Sequence, residues 1–120
     1  MTAATKRKPA APRVSERDFQ RSVIDLARRF GWKVAHFRPA QNARGDWRTP
    51  VAADGKGFPD LVMVHQGRGE LIFAELKSER GRTTSEQDAW HHALARCGRV
   101  HVWRPSDWQD IVTALSFGAL

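Results

Sequence analysis

Asp60, Glu75 and Lys77 are the residues in this sequence whose types and spacing are best suited to chemistry. Asp60 stands at the start of the apolar run 61–64, whereas Glu75 and Lys77 follow the apolar run 71–74. The two runs flank a short segment with two glycines, which predicts a β-hairpin with a longer, flexible loop. Because a hairpin brings Asp60 close to Glu75, the two carboxylates can hold a hard divalent cation. The Lys77 ammonium beside this cation can transfer protons.

The second of these strands is predicted to be central in its sheet because its apolar sequence is unbroken. Alternation along a strand puts Glu75 and Lys77 on one face and Ala74 and Leu76 on the other. The simpler interpretation is that Asp60 caps a turn and that the other two charges form an exposed pair on an edge strand. Charges at the end of a central strand need a further reason, which favours a functional site.

A helix before the hairpin is predicted to begin at the N-cap Ser15 and to end at Gly31. Its buried stripe has the helical spacing i, i+4, i+7, i+11 and comprises Phe19, Val23, Leu26 and Phe30. Glu16 precedes Phe19 by three residues, so its carboxylate is predicted to lie on the inward face of the first turn. Glu16 either interacts favourably with the helix dipole or supplies a third carboxylate to the site.

A second helix is predicted after the hairpin, with Thr84 or Ser85 as its N-cap and Gly98 at its end. Its apolar stripe comprises Trp90, Leu94 and Cys97. Gln87 stands one turn before this stripe and therefore places a polar amide against the sheet, where it must be hydrogen-bonded. It either satisfies a backbone group or lines an active-site cleft.

A strand is also predicted before the hairpin, over residues 32–38, by composition and alternation. A fourth strand over residues 99–104 and a last helix complete the pattern. The core face of that helix comprises Trp108, Ile111, Val112 and Leu115. The order of elements predicts an α/β fold in which a small central mixed sheet is flanked by helices. At 120 residues, the chain is predicted to hold a single domain over residues 14–120.

The net charge of +7 indicates a polyanionic partner. Residues 1–13 carry four basic side chains and no acidic one, and their Ala/Pro-rich composition predicts a disordered basic tail. This tail either solubilises the protein or makes loose phosphate contacts.

The single cysteine, Cys97, cannot form an internal disulfide, which favours a reducing, cytoplasmic compartment. No apolar run approaches the roughly 18 residues of a membrane span, so no membrane association is expected. The five histidines show no ligand spacing, and the adjacent His91 and His92 cannot both face one metal ion from a helix.

The stretch from residue 39 to 58 shows no clear period and is predicted to be a long loop before Asp60. Basic residues at the border of this stretch, within it, or in the turn after the second hairpin strand suit a surface that follows phosphates, with Trp47 as a base-stacking group. These candidate nucleic-acid contacts are Arg38, Arg44, Arg48, Lys56, Arg80 and Arg82. The alternative is an ordinary solvated loop whose Trp47 packs back onto the core.

The order Pro59-Asp60, a spacer and Glu75-Leu76-Lys77 resembles the signature of PD-(D/E)xK nucleases. The string Gly-Phe-Pro-Asp-Leu at residues 57–61 looks like the VRR-NUC branch of that superfamily. Glu16 and Gln87 also agree with this branch in type and in predicted context, and the resemblance extends from Glu16 to about Trp103.

The resemblance implies a restriction-endonuclease-like core and a nuclease that depends on Mg²⁺ or Mn²⁺. Asp60 and Glu75 would hold the metal, joined by the Leu76 carbonyl and by Glu16 through water. Lys77 would orient or deprotonate the attacking water or stabilise negative charge, and Gln87 would position the water or a phosphate oxygen. Small free-standing members of this family are associated with branched DNA, for which a homodimer would suit two equivalent cuts.

Two other functions are compatible with parts of the pattern. A nucleic-acid-binding module with the same fold would not cut, but it has no chemical need to keep Asp60, Glu75 and Lys77 together. A phosphohydrolase for small phosphates is disfavoured by the basic tail and by the lack of a glycine-rich phosphate motif.

Overall fold

The structure, a computed structural model, describes residues 14–37, 40–41, 43–48 and 52–117. Three α-helices lie in these ranges: α1 (Glu16–Arg29), α2 (Ser85–Leu94) and α3 (Trp108–Phe117). The strands there are β1 (Lys33–His36), β2 (Ala40–Gln41), β3 (Trp47–Arg48), β4 (Leu61–His65), β5 (Glu70–Leu76) and β6 (Arg99–Trp103).

The main sheet has the strand order β1-β4-β5-β6. Its first three strands are antiparallel neighbours, whereas β5 and β6 are parallel. The sheet is therefore mixed. Apart from the short strands β2 and β3, the elements occur in the order α1, β1, β4, β5, α2 and β6, which is αβββαβ. The prediction that the second hairpin strand is central is confirmed, because β5 pairs with a strand on each side.

The hydrophobic core lies between one face of the sheet and the helices α1 and α3. Alternation directs Leu61, Met63, Ile72 and Ala74 to this face, where they are fully buried. Phe73 and Glu75 consequently point to the opposite face, which α2 covers. Helices therefore pack on both faces, as predicted.

Helix α1 begins and ends as its sequence predicts. The Ser15 side chain accepts a hydrogen bond of 3.0 Å from the Asp18 amide, and Gly31 follows the helix with φ of 91°. The buried line is Phe19, Val23 and Ala27 rather than a stripe that extends to Phe30, which is half-exposed. Phe30 is the C-cap and lies beyond the last helical turn, so helical spacing no longer directs its side chain inward.

Two other predicted core residues are exposed because one lies beyond the end of its helix and the other is the first residue of its helix. Helix α2 ends at Leu94, which leaves Cys97 exposed in the following turn. Trp108 is the first residue of α3 and is 37% exposed, whereas Ile111, Ala114 and Leu115 are buried. Cys97 and Trp108 therefore do not contribute to the core as predicted.

The connection between β4 and β5 is a structured turn, so the prediction of a flexible loop is wrong. His65 Nδ1 accepts a hydrogen bond from the Arg68 amide, while His65 Nε2 lies 3.0 Å from the Phe30 carbonyl oxygen. The Arg68 guanidinium donates to the carbonyl oxygens of Leu115 and Ser116, both at 3.0 Å, and so satisfies the C-terminal end of α3.

The predicted long loop before Asp60 contains secondary structure of its own. Strands β2 and β3 form a short antiparallel ladder in which Ala40 pairs with Arg48 and Gln41 with Trp47. The predicted tail 1–13 and Arg38 lie outside the described residues, as does the side chain of Arg48. Within the described ranges, no helix combines the length and apolar character needed to cross a membrane.

Candidate active site

The structure brings Asp60, Glu75 and Lys77 together at one edge of the sheet. Asp60 directly precedes β4, and Leu61 pairs with Ala74, so Asp60 lies across from the end of β5. Asp60 Oδ2 accepts a hydrogen bond of 2.9 Å from the Leu76 amide. The Lys77 ammonium is 3.9 Å from Glu75 Oε2. The hairpin thus creates a cluster of two carboxylates and one cation.

Gln87 joins this cluster from the first turn of α2. Thr84 is the N-cap: its hydroxyl accepts from the Gln87 amide at 3.1 Å, and its own amide donates to Gln87 Oε1 at 2.9 Å. The other end of the same side chain, Nε2, donates to Glu75 Oε2 at 3.0 Å. Gln87 therefore satisfies the helix terminus, which is the first alternative, and also contacts Glu75; that it lines an active-site cleft stays a prediction.

Gly57, Phe58 and Pro59 hold Asp60 in place. Gly57 has φ of 87°, and a Cβ atom there would lie 2.6 Å from the Glu86 carbonyl carbon and 2.7 Å from the Gln87 nitrogen. Only glycine therefore lets this segment approach the N-terminus of α2 so closely. Pro59 is fully buried. The short motif before Asp60 thus fixes the distance between the carboxylate and Gln87.

Phe58 anchors this segment to the α2 face of the sheet. Its ring makes edge-to-face contacts with Trp90, Phe37 and Phe73 at centroid distances of 5.0, 5.8 and 5.9 Å. The Trp90 indole also donates to the Asp54 carbonyl oxygen at 2.9 Å. These contacts join α2, the segment before β4 and the sheet into one support for the site.

Glu75 is 2% exposed and is the only buried charged residue within the described part of the chain. Burial raises the pKa of Glu75 to about 8; the neighbouring Asp60 carboxylate reinforces this shift, and Lys77 opposes it. Its Oε1 atom is buried and has no hydrogen-bond partner among the described residues. A buried carboxyl with a free oxygen beside a second carboxylate fits a hard divalent cation, which binds oxygen ligands.

The other two predicted ligands are placed differently. Glu16 is exposed, so the prediction that it faces inward is wrong: the first turn of α1 extends past the buried line that starts at Phe19. Among the described residues, no group of three or more His, Cys, Asp and Glu side chains is arranged to hold a metal ion. Leu76 contributes its amide to Asp60, whereas a role for its carbonyl remains a prediction.

The described basic candidates Arg44, Lys56, Arg80 and Arg82 all have side chains that reach the surface. Sequence reasoning missed Arg104, whose Nη1 atom lies 2.6 Å from the carbonyl oxygens of both Ser78 and Gly81 and fixes the turn that carries Arg80 and Arg82. A signal for this contact was available, because parallel strands β5 and β6 end at the same edge of the sheet.

His91 is a second residue of the site region that sequence reasoning missed. Burial lowers the pKa of His91, the charges of Asp88 and Asp60 oppose this shift, and Lys77 adds to it. Two site residues thus act electrostatically on this imidazole. The available signal was its spacing of four residues from Gln87, which places both side chains on one face of α2.

Three features together define a nuclease-like α/β core. They are the mixed sheet with its αβββαβ order, an aspartate before one strand, and Glu-x-Lys at the end of the next strand. The family model described as the VRR-NUC domain matches residues 38–106, which is more than half of the chain. The chain therefore belongs to the VRR-NUC domain family and contains a nuclease-type domain. The match includes Asp60, Glu75, Lys77 and Gln87 but not Glu16. Comparison with curated proteins and with solved structures gives no significant match.

Proposed function

We propose that this protein is a nuclease that uses Mg²⁺ or Mn²⁺ to hydrolyse phosphodiester bonds in DNA. The observation that carries the proposal is the environment of Glu75: a buried carboxyl beside Asp60, with an unpartnered oxygen and a pKa of about 8. Such a group costs stability when it ionises without a cation. A domain that only bound DNA would have no need for it.

Asp60 and Glu75 would hold the cation through carboxylate oxygens, and the Leu76 carbonyl and a water-mediated contact from Glu16 remain further candidate ligands. When bound, the cation lowers the pKa of its water and offsets negative charge at the scissile phosphate. Lys77 lies close enough to Glu75 to orient a water or to stabilise the phosphate. Gln87 holds Glu75 Oε2 and so orients the carboxyl for its ligand.

DNA is the proposed substrate because the site is bordered by basic side chains at the surface. Arg80 and Arg82 follow Lys77 closely on a turn that Arg104 holds in place.

We further propose branched DNA as the preferred form, cut by a homodimer. Deleting residues 1–13 should weaken DNA binding and reduce the salt dependence of its affinity, by about 0.7–0.9 in the log–log slope for each phosphate that the tail neutralises.

The deciding experiment compares wild type with Asp60→Asn on linear, flap, nicked and four-way DNA, with and without Mg²⁺ or Mn²⁺. Wild type should cut only with metal. Asp60→Asn should cut at least about 100-fold more slowly, because it loses an anionic ligand, and it should still bind DNA. Asp110→Asn, an exposed carboxylate on α3, is the matched control and should cut at the wild-type rate.

Two results would contradict the proposal. If wild type cuts none of these substrates with either metal, the nuclease assignment fails and a binding module of the same fold becomes the better description. If Asp60→Asn cuts as fast as wild type, the chemistry does not take place at this carboxylate pair.

A further inference from the structure

His91 lies one helical turn after Gln87 on the face of α2 that meets the site. The spacing of four residues corresponds to about 6 Å along the helix axis. Gln87 contacts Glu75 at 3.0 Å, so His91 projects from the same face beside that contact. The adjacent His92 is exposed and points away from this face.

The His91 Nε2 atom is buried and has no hydrogen-bond partner among the described residues. Glu75 Oε1 is in the same condition, and the charges of Asp60 and Lys77 influence the pKa of both side chains. Native structures leave few buried polar atoms unpaired, and each one needs an explanation. Two of them around one carboxylate pair are explained together by a single polar ligand that the folded chain is built to receive.

We propose that His91 is a positioning residue of the metal centre, whose Nε2 forms a hydrogen bond with a water molecule in the hydration shell of the cation. This inference rests on the proposed metal-dependent nuclease function. Mg²⁺ keeps several of its waters when it binds a protein, and carboxylates alone leave those waters free to rotate. An imidazole nitrogen can either accept from or donate to water, so it can fix one of them.

A set of substitutions at this position tests the inference by Mn²⁺ binding rather than by activity alone. His91→Leu removes the polar atom, His91→Gln places an amide near the position of Nε2, and His91→Asn places one near Nδ1 instead. His92→Leu is the matched control on the exposed side of the helix. Mn²⁺ is titrated into each full-length protein and the free ion is measured by electron paramagnetic resonance.

His91→Leu and His91→Asn should bind Mn²⁺ about 10- to 100-fold more weakly than wild type. This is the range found when a residue that forms a hydrogen bond with a metal's ligand is removed. His91→Gln and His92→Leu should bind like wild type. His91→Leu should also lose no stability towards denaturant in EDTA, because its Nε2 has no partner to lose. On DNA, its kcat should fall while its KM stays unchanged.

The inference is overturned if wild type binds Mn²⁺ and cuts DNA but His91→Leu and His91→Asn bind the ion equally well. It is also overturned if His91→Leu unfolds or loses stability in EDTA, because the histidine then has a structural role. If wild type itself neither binds Mn²⁺ nor cuts DNA, the proposed function fails and this inference fails with it.

Discussion

The buried Glu75 makes a quantitative prediction for the stability of the metal-free protein against pH. Its pKa rises from an ordinary value of 4.5 to about 8, first because of burial and then because of the Asp60 charge, with Lys77 opposing. The folded state therefore holds a proton that the unfolded state releases. The stability from this group is fully present below about pH 4.5 and is lost as the pH rises to about 8.

The size of the loss follows from the two pKa values. Each unit of difference in pKa corresponds to about 1.4 kcal/mol. Ionisation of Glu75 should therefore lower the free energy of unfolding by about 4 kcal/mol when the pH rises from 5 to 9. Glu75→Gln keeps the shape of the side chain but cannot ionise. Relative to wild type in EDTA, it should therefore gain about 4 kcal/mol of stability across this interval.

The assay is urea denaturation at pH 5, 7 and 9, in EDTA and with Mn²⁺. At a free concentration about 100 times its dissociation constant, Mn²⁺ should stabilise wild type by about 2.7 kcal/mol. It should stabilise Glu75→Gln much less. Glu86→Gln, which removes an exposed carboxylate at the start of α2, is the control and should follow the wild-type pH profile.

The reasoning is refuted if the difference in stability between wild type and Glu75→Gln is the same at pH 5 and pH 9. The carboxyl would then titrate alike in the folded and unfolded states, and its burial would carry no electrostatic cost. An equal response of both proteins to Mn²⁺ would show that Glu75 does not hold the cation.

Three further predictions concern the support of the site, the role of Lys77 and a contact remote from the site. Gly57→Ala should lower the free energy of unfolding in denaturant by about 3 kcal/mol, because strain at positive φ adds to overlap with α2. The control Gly69→Ala is also at positive φ but in open space, so it should lower the free energy of unfolding by about 1 kcal/mol. Lys77→Ala should reduce cleavage at least about 100-fold while calorimetry still detects Mn²⁺ binding, since lysine is not a ligand. Arg68→Ala should lower stability by about 2 kcal/mol because the Ser116 carbonyl loses its Arg68 donor and the Leu115 carbonyl keeps the Trp32 indole but loses the guanidinium. It should leave the cleavage rate of the folded protein unchanged.

Much of the fold and the centre of the site could be predicted from short-range patterns. Alternation along β5 separates Glu75 from the buried Ala74, and its apolar sequence indicates a central strand, which the strand order confirms. The hairpin follows from two apolar runs and a glycine-containing turn. These features depend on neighbours in sequence, so the sequence alone is sufficient to reveal them.

The errors arose where tertiary contacts decide the outcome. Helical spacing placed Glu16 on the inward face, but its side chain is exposed and the buried line of α1 starts only at Phe19. The turn between β4 and β5 is ordered because Arg68 reaches carbonyl groups on α3, more than 40 residues away. No local pattern carries information about such a partner. Arg104 and His91 differ in this respect, because strand ends and helical spacing did carry a signal for them, but neither belongs to a motif of consecutive residues.

The arrangement of α2 explains why Gln87 and Glu75 depend on each other. Gln87 uses Oε1 to complete the helix N-terminus and Nε2 to hold Glu75, so the orientation of its amide is fixed from both ends. A flexible glutamine would lose side-chain entropy when it bound the carboxyl, but here the capping bond already restricts the side chain.

Gln87→Ala should consequently weaken both the helix terminus and the hold on Glu75. Thr84→Ala should reduce cleavage as well, although Thr84 does not touch Glu75. It removes the hydroxyl that accepts from the Gln87 amide, so the first turn of α2 frays and the bond from the residue 84 amide to Gln87 Oε1 loosens. Comparing the cleavage rates of these two variants with that of Ser85→Ala, a neighbour outside the capping box, tests this dependence; equal rates for Thr84→Ala and Ser85→Ala would contradict it.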